Sequence, residues 1–325
     1  SQAGRGRVTR ESSFDRLPCP LCGEPAPHHL STCRHAGAGD ATPLRGEREG
    51  VSKFEWGELR PKPPRVPVVI PGIGNHAPSG PSPSLIALLQ RPHGDDEHHV
   101  MFTRQPPGEA WQESYAYPAD ELGKLLPGIR EQLERDSYFG PHGFFAPRKK
   151  GPGGGYLYHP SKHSPYLPAA DRDSDRLRYL TSCYADLDIY NISGGMKFSH
   201  AVGALLELSE EGAIPPPSII ANSGRGAWPF WLLYDRRDAH LPFAERKPPR
   251  ATPGMIGYWK QVQEALHSRL GVLHSDSSVT SNPVGVTRVP GSINSKNERR
   301  TSWMVLGGSD GPHSYTLDEI AEYYG

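Results

Sequence analysis

Residues 1–64 mix Pro, Gly and charged positions without any hydrophobic period, so the segment reads as a loosely structured, flexible arm. The first apolar run predicts a strand over 66–70, followed by a short helix over 82–90 and a strand over 98–103. Leu122, Leu125, Leu126, Ile129 and Leu133 fall at helical spacing and predict a helix over 119–135, with Pro127 as its one blemish. A strand over 144–148 is expected to run into a mobile loop, Lys149-Lys150-Gly151-Pro152-Gly153-Gly154-Gly155.

The second half is better patterned. Residues 179–190 are apolar and strand-like, and 199–211 predict a helix with Ser199 as N-cap. After the break at Pro215-Pro216-Pro217, strands are predicted over 218–222 and 227–234, joined by a Ser-Gly-Arg-Gly turn. Ile256, Trp259, Val262, Leu266 and Leu270 mark one face of a helix over 254–270. Short strands over 284–289 and 302–306 and a helix over 316–324, capped by Thr316, complete the pattern. This alternation predicts an α+β fold in which helices pack on a mostly antiparallel sheet. Three segments follow: the arm 1–64, an N-terminal α/β module 65–176, and a module 177–325.

Composition changes this picture little. Lys+Arg and Asp+Glu balance at 36 each, so net charge offers no argument for a polyanionic partner. No run reaches the ~18–20 apolar residues of a membrane span, so no membrane association is expected. The chain starts without the apolar core of a secretion signal, and four cysteines, three of them within 19–33, do not form a secreted disulfide framework. The cytoplasm is the expected compartment. Cys19, Cys22 and Cys33 with His35 have the spacing of a tetrahedral Zn²⁺ knuckle inside the arm, the fourth ligand being open between His35 and the intervening His28 and His29, with reduced cysteines in a flexible segment as the alternative.

Asp186 and Asp188 stand inside the apolar run Tyr184–Tyr190. On a strand they would share a face about 6–7 Å apart, repelling by about 2–3 kcal/mol at an effective dielectric near 20. A hard divalent cation between them converts that repulsion into ligation. A strand end whose aspartates face water is the plainer alternative, disfavoured by the apolar neighbours. Asp276, after the 254–270 helix, is an ordinary loop aspartate unless it joins them. In the turn Ser223-Gly224-Arg225-Gly226 the glycines free backbone N–H groups to approach an anion, though a plain hairpin would also use them. Arg288 and Lys296 flank a Pro-Gly turn, and Arg299 and Arg300 follow; such a segment neutralises phosphates or is simply a solvated loop.

Together these segments resemble the archaeo-eukaryotic primase superfamily, in particular the primase-polymerases of plasmids, phages and other mobile elements. The Asp186-Leu187-Asp188 run resembles the first motif, Ser223–Gly226 the second, and Asp276 the third. The stretch from Arg288 through Pro290, Gly291, Ser292 and Asn294 to Lys296 resembles the basic segment that follows the third motif. The likeness spans roughly residues 137–305. The family's second motif ends in a His two residues past its last Gly, and here that position holds Trp228.

The resemblance implies an RRM-like catalytic core with the smaller N-terminal module beside it. It implies a DNA polymerase or primase activity, a nucleotidyltransferase in which Asp186, Asp188 and Asp276 hold two Mg²⁺ or Mn²⁺ ions. Ser223, Gly224, Arg225, Gly226, Arg288, Asn294 and Lys296 would bind the NTP or dNTP, with Trp228 as a neighbour of the nucleotide. Arg148, Lys149, Lys150, Lys162, Arg299 and Arg300 are candidates for the single-stranded DNA template, and a helicase domain or protein is an expected partner. Three rivals use part of the same pattern: a metal-dependent nuclease, a sugar-nucleotide glycosyltransferase, and a non-catalytic origin- or single-strand-binding module descended from a primase. The glycosyltransferase explains neither the Ser-Gly-Arg-Gly turn nor the basic segment. Trp228 is the best argument for the non-catalytic module.

Overall fold

The structure, a computed structural model, describes residues 68–69, 83–91, 98–111, 114–146, 148–150, 156–158, 172–192 and 195–324. By contact density, residues 62–251 and 259–325 form one compact unit, and 1–61 with 252–258 a second. Of the second unit only 252–258 are described, at the start of the Pro253–Arg269 helix. The first unit is α+β, as the alternation predicts.

Two sheets organise it. The larger runs Val68–Val69, Ser302–Gly308, Ile219–Asn222, Ala227–Leu233 and Ser314–Tyr315 in spatial order, with Ser182–Tyr184 also on Ala227–Leu233 and Gly311–Pro312 on Ser302–Gly308. Only the Ser314–Tyr315 pairing is parallel. Every residue of Ala227–Leu233 is buried, which accounts for its unbroken apolar run, AWPFWLL. The smaller sheet orders Thr287–Arg288, Ser137–Phe139, His99–Arg104, Gly143–Phe144 and Leu177–Tyr179, with Tyr115–Pro118 against His99–Arg104. Thr287–Arg288 thus brings the basic segment onto strands far earlier in the chain.

Several elements depart from the sequence expectation. The run over 179–190 is not one strand. Leu177–Tyr179 and Ser182–Tyr184 belong to different sheets, and a 3-10 turn occupies Ile189–Asn191. The helix over Phe198–Glu210 begins after Lys197, without a side-chain cap, so Ser199 lies inside it. Arg148–Lys150 is not loop but a strand antiparallel to Tyr156–Tyr158. The strand expected over 284–289 shrinks to Thr287–Arg288. Pro127 lies within the Leu122–Leu133 helix, and Thr316 closes a full capping box with Glu319 at the start of Leu317–Ala321.

An aromatic core joins the acid segment to the larger sheet. Tyr184, fully buried, stacks on Trp228 at 5.8 Å and 19°, and Phe230 stacks on Trp303 at 5.2 Å. From the Pro253–Arg269 helix, buried Gln263 acts as a clamp: its Oε1 accepts from the Tyr184 amide and its Nε2 donates to the Tyr184 carbonyl. These bonds satisfy main-chain groups just before Asp186 that no ladder satisfies there.

Candidate functional site

The segment carrying the acids is held by main-chain bonds on both sides. Leu187 bridges Ala227 on one flank and Ser275 on the other. The Asp188 amide donates to the His274 carbonyl over 3.0 Å, and the Asp276 amide to the Asp186 carbonyl over 2.8 Å. Asp186 and Asp188, on either side of Leu187, therefore face the same cavity, of about 500 Å³.

The glycine turn is wedged between this segment and the basic one. A Cβ on Gly226 would stand 2.7 Å from the Leu187 carbonyl oxygen, so only glycine allows the turn to lie against the residue between the two acids. Gly224 has φ +94° and faces the other way, where a Cβ would meet Asn294 and Asn297 at 3.2 Å. Asn294 Nδ2 donates to the Ser223 carbonyl over 3.0 Å and Asn297 Nδ2 to the Gly224 carbonyl over 2.6 Å. Ile293–Asn294 pairs with Arg299–Arg300, so the basic segment is a hairpin fastened to the turn by two asparagines.

Asp186, Asp188, Ser223, Arg225, Gly226 and Trp228 all line the cavity, and so do Arg288, Asn294 and Lys296. Gly224 and Asp276 are not on the wall, although the Asp276 segment pairs alongside the Asp186 segment and its charge acts on Asp186. Arg300 is spent internally, paired with Glu134 at 2.6 Å and donating to the Gly291 carbonyl, while Arg299 is exposed. Arg148, Lys149 and Lys150 form an antiparallel pair with Tyr156–Tyr158. Lys162, Cys19, Cys22, Cys33 and His35 lie outside the described residues.

Burial pushes the Asp186 carboxyl up to about 7. The charges of Asp188 and Asp276 add to the rise, while the Trp228 indole, hydrogen-bonded to Asp186, and the Arg288 guanidinium oppose it. Trp228 therefore touches the acid directly, which its expected role beside a nucleotide does not foresee. The Asp276 carboxylate caps the short Ser277–Thr280 helix: Oδ1 accepts from the Ser278 amide at 2.8 Å and from the Ser278 hydroxyl at 2.7 Å. Among the described residues no three His, Cys, Asp or Glu side chains are grouped closely enough to hold a metal ion. The donor set fits a hard cation in part: two carboxylates converge on one cavity, where the charge of Asp188 opposes ionisation of Asp186, while one oxygen of the third is committed to the helix cap.

The wall also holds residues to which the sequence reading assigns no role. Tyr190 hydrogen-bonds Asp188 through its hydroxyl and carries the Arg225 guanidinium 4.0 Å over its ring. Trp111, Tyr138 and Arg172 also line the cavity. Arg288 reaches from its buried ion pair with Asp136, at 3.3 Å, over the Tyr138 ring at 4.7 Å.

No protein-family model matches the chain. Among curated proteins, a replication protein of Clostridium perfringens is 29% identical over 130 residues, which are 39% of this chain and 27% of that protein. The chain thus matches about a quarter of the relative's length. Among solved structures, the crystal structure of primase RepB' resembles it with a TM-score of 0.39 and 11% identity, covering 74% of this chain and 61% of that one. A TM-score that low does not establish a common fold. Among the described residues no helix is long and apolar enough to cross a membrane.

Proposed function

We propose that this chain is a DNA primase-polymerase acting in the replication of a mobile element, transferring nucleotides to a primer 3′-hydroxyl or an initiating nucleotide on single-stranded DNA. The observation that carries this reading is the convergence on one cavity of an acid pair, a glycine turn and the cations Arg225, Arg288 and Lys296. A triphosphate needs positive charge on its oxygens, and the attacking hydroxyl needs a place beside the α-phosphorus. Arg225 and Lys296, exposed on the wall, would take the terminal phosphates, with Arg288 deeper and nearer Asp186. The hydroxyl attacks the α-phosphorus and pyrophosphate leaves. Divalent cations held by Asp186 and Asp188 would neutralise the triphosphate and acidify the attacking hydroxyl. The similarity over 130 residues to a curated replication protein agrees with this assignment.

Incubation with labelled nucleotides, single-stranded DNA and Mg²⁺ or Mn²⁺ tests it. Products longer than the input, lost in Asp186→Ala/Asp188→Ala, are expected; shorter fragments would instead identify a nuclease. A non-catalytic single-strand- or origin-binding module is the second reading, favoured by Trp228 and by the engagement of Asp276 as a cap. It predicts DNA binding that the double substitution leaves unchanged, without synthesis.

A further inference from the structure

Four large hydrophobic side chains of the described residues are exposed, Trp111, Phe145, Tyr190 and Val272, and two of them, Trp111 and Tyr190, line the cavity. Trp111 is 43% exposed. So large an apolar ring left open at a cavity wall marks a surface reserved for contact. Its orientation is set by Tyr138, which meets it edge to face at 4.9 Å and 68°, and by Arg172, whose guanidinium lies 5.5 Å from the ring centre. Arg172 is half-buried, and among the described residues no carboxylate pairs with it. Its guanidinium, beside an exposed indole on the cavity wall, offers directed donors to an anion. Tyr138 continues the wall to Arg288, which acts on Asp186, so the aromatic patch is contiguous with the acid end.

We infer that Trp111, supported by Tyr138, is a stacking platform for an unpaired nucleobase and that Arg172 receives the phosphate attached to it. The chemistry requires both parts. An indole face attracts any base, with little preference among the four, and the adjacent guanidinium answers the backbone or terminal phosphate. The proposal rests on the reading of this cavity as a nucleic-acid site, and it names the part of the ligand that the acid pair and the glycine turn leave unassigned. The base has two sources, a nucleoside triphosphate and a single-stranded template.

The test measures binding rather than synthesis, in two arms. In the first, dATP is compared with inorganic tripolyphosphate; in the second, a short oligodeoxythymidylate with an abasic oligonucleotide of the same length. Wild type, Trp111→Ala, Trp111→Phe and Arg172→Ala are titrated by calorimetry. Stacking predicts that Trp111→Ala weakens one base-bearing ligand by on the order of 5- to 100-fold. Its base-free counterpart should change little, and Trp111→Phe should recover most of the loss. The arm that responds identifies the source of the base. Arg172→Ala should weaken the base-bearing and base-free ligands of that arm alike. If base-bearing ligands bind no more tightly than base-free ones in either arm, or if Trp111→Ala changes both members of a pair equally, the platform is overturned. The primase reading is judged separately, by loss of synthesis in Asp186→Ala/Asp188→Ala. Trp111 is exposed enough that neither substitution at it should unfold the chain.

Discussion

The amide of Asp276 donates to the carbonyl of Asp186 over 2.8 Å, so an acid ninety residues later in the chain is tied to the first by the main chain itself. Its carboxylate, however, caps Ser277–Thr280 through Oδ1. The two tasks separate by substitution. Asp276→Asn keeps an oxygen for the cap and should leave thermal stability nearly unchanged, whereas Asp276→Ala should cost about 0.5–2 kcal/mol. If the second carboxylate oxygen ligates a cation, nucleotide incorporation falls by at least tenfold in both variants. Full activity in Asp276→Asn would reduce Asp276 to a helix cap.

Asp186 should make the cation-free protein less stable as pH rises. Its folded-state carboxyl titrates near 7, above the ordinary 3.8, so between those values the folded state holds a proton that the unfolded chain has released. Stability contributed by that proton is full below about 4 and is lost as pH climbs to 7. Asp186→Asn removes the charge and retains an oxygen for the Trp228 indole. In chelator it should be more stable than wild type by on the order of 2–4 kcal/mol at pH 8, with the advantage shrinking at pH 5. Excess Mg²⁺ or Mn²⁺ should raise the melting temperature of wild type and not of this variant. Thermal melts at the two pH values, with and without cation, read all three expectations.

Much of the fold was legible because apolar spacing is local. The strands around the Ser-Gly-Arg-Gly turn and the long helix fall within a residue or two of expectation. The 179–190 run misled because burial on both sides makes any backbone there apolar. Its middle is fixed by single bridges to Ala227 and Ser275 rather than by one continuous ladder, a tertiary fact invisible to periodicity. The motif residues on the cavity wall were legible as types at characteristic spacing. Trp111, Tyr138, Arg172 and Tyr190 were not assigned, because each sits on a different segment and no local pattern distinguishes an exposed ring from a buried one. Trp228 carried a signal, as an aromatic where a histidine was expected, but its hydrogen bond to Asp186 required the fold.

Arg288 and Lys296 bracket the same basic hairpin and should behave oppositely. Arg288 is buried, ion-paired with Asp136 at 3.3 Å, and Asp136 itself sits at φ +47° while accepting from the Ser295 amide. Arg288→Ala strands a buried carboxylate and should cost about 3–5 kcal/mol, so any loss of activity there would be read through misfolding. Lys296 is exposed on the wall, and Lys296→Ala should change stability by less than about 0.5 kcal/mol. The KM for nucleotide should nonetheless rise several-fold, with a weaker dependence on salt. Denaturant melts beside steady-state kinetics separate the two.

Acid sensitivity should come from histidines that do not line the cavity. His142 is fully buried; its Nδ1 accepts from the Thr181 amide over 3.1 Å, and its ring packs on Tyr184 and Trp259. Burial holds it down to about 3 from the usual 6.5, and His99 is held down to about 4 by the same cause. Below 6.5 the unfolded chain takes up protons that the folded chain refuses, so stability falls with decreasing pH, by about 1.4 kcal/mol per unit for each such group until its folded value is reached. His142→Asn places an amide oxygen where Nδ1 stands, keeping the Thr181 bond while removing the titration. It should lower stability at pH 8, where the smaller side chain leaves a void beside two aromatic rings. Between pH 6 and 4 its stability should fall less steeply than that of wild type, with the slope from His99 remaining. Parallel curves for the two proteins over that interval would mean that His142 is already charged in the folded state, a result that its apolar packing and single accepted hydrogen bond do not allow.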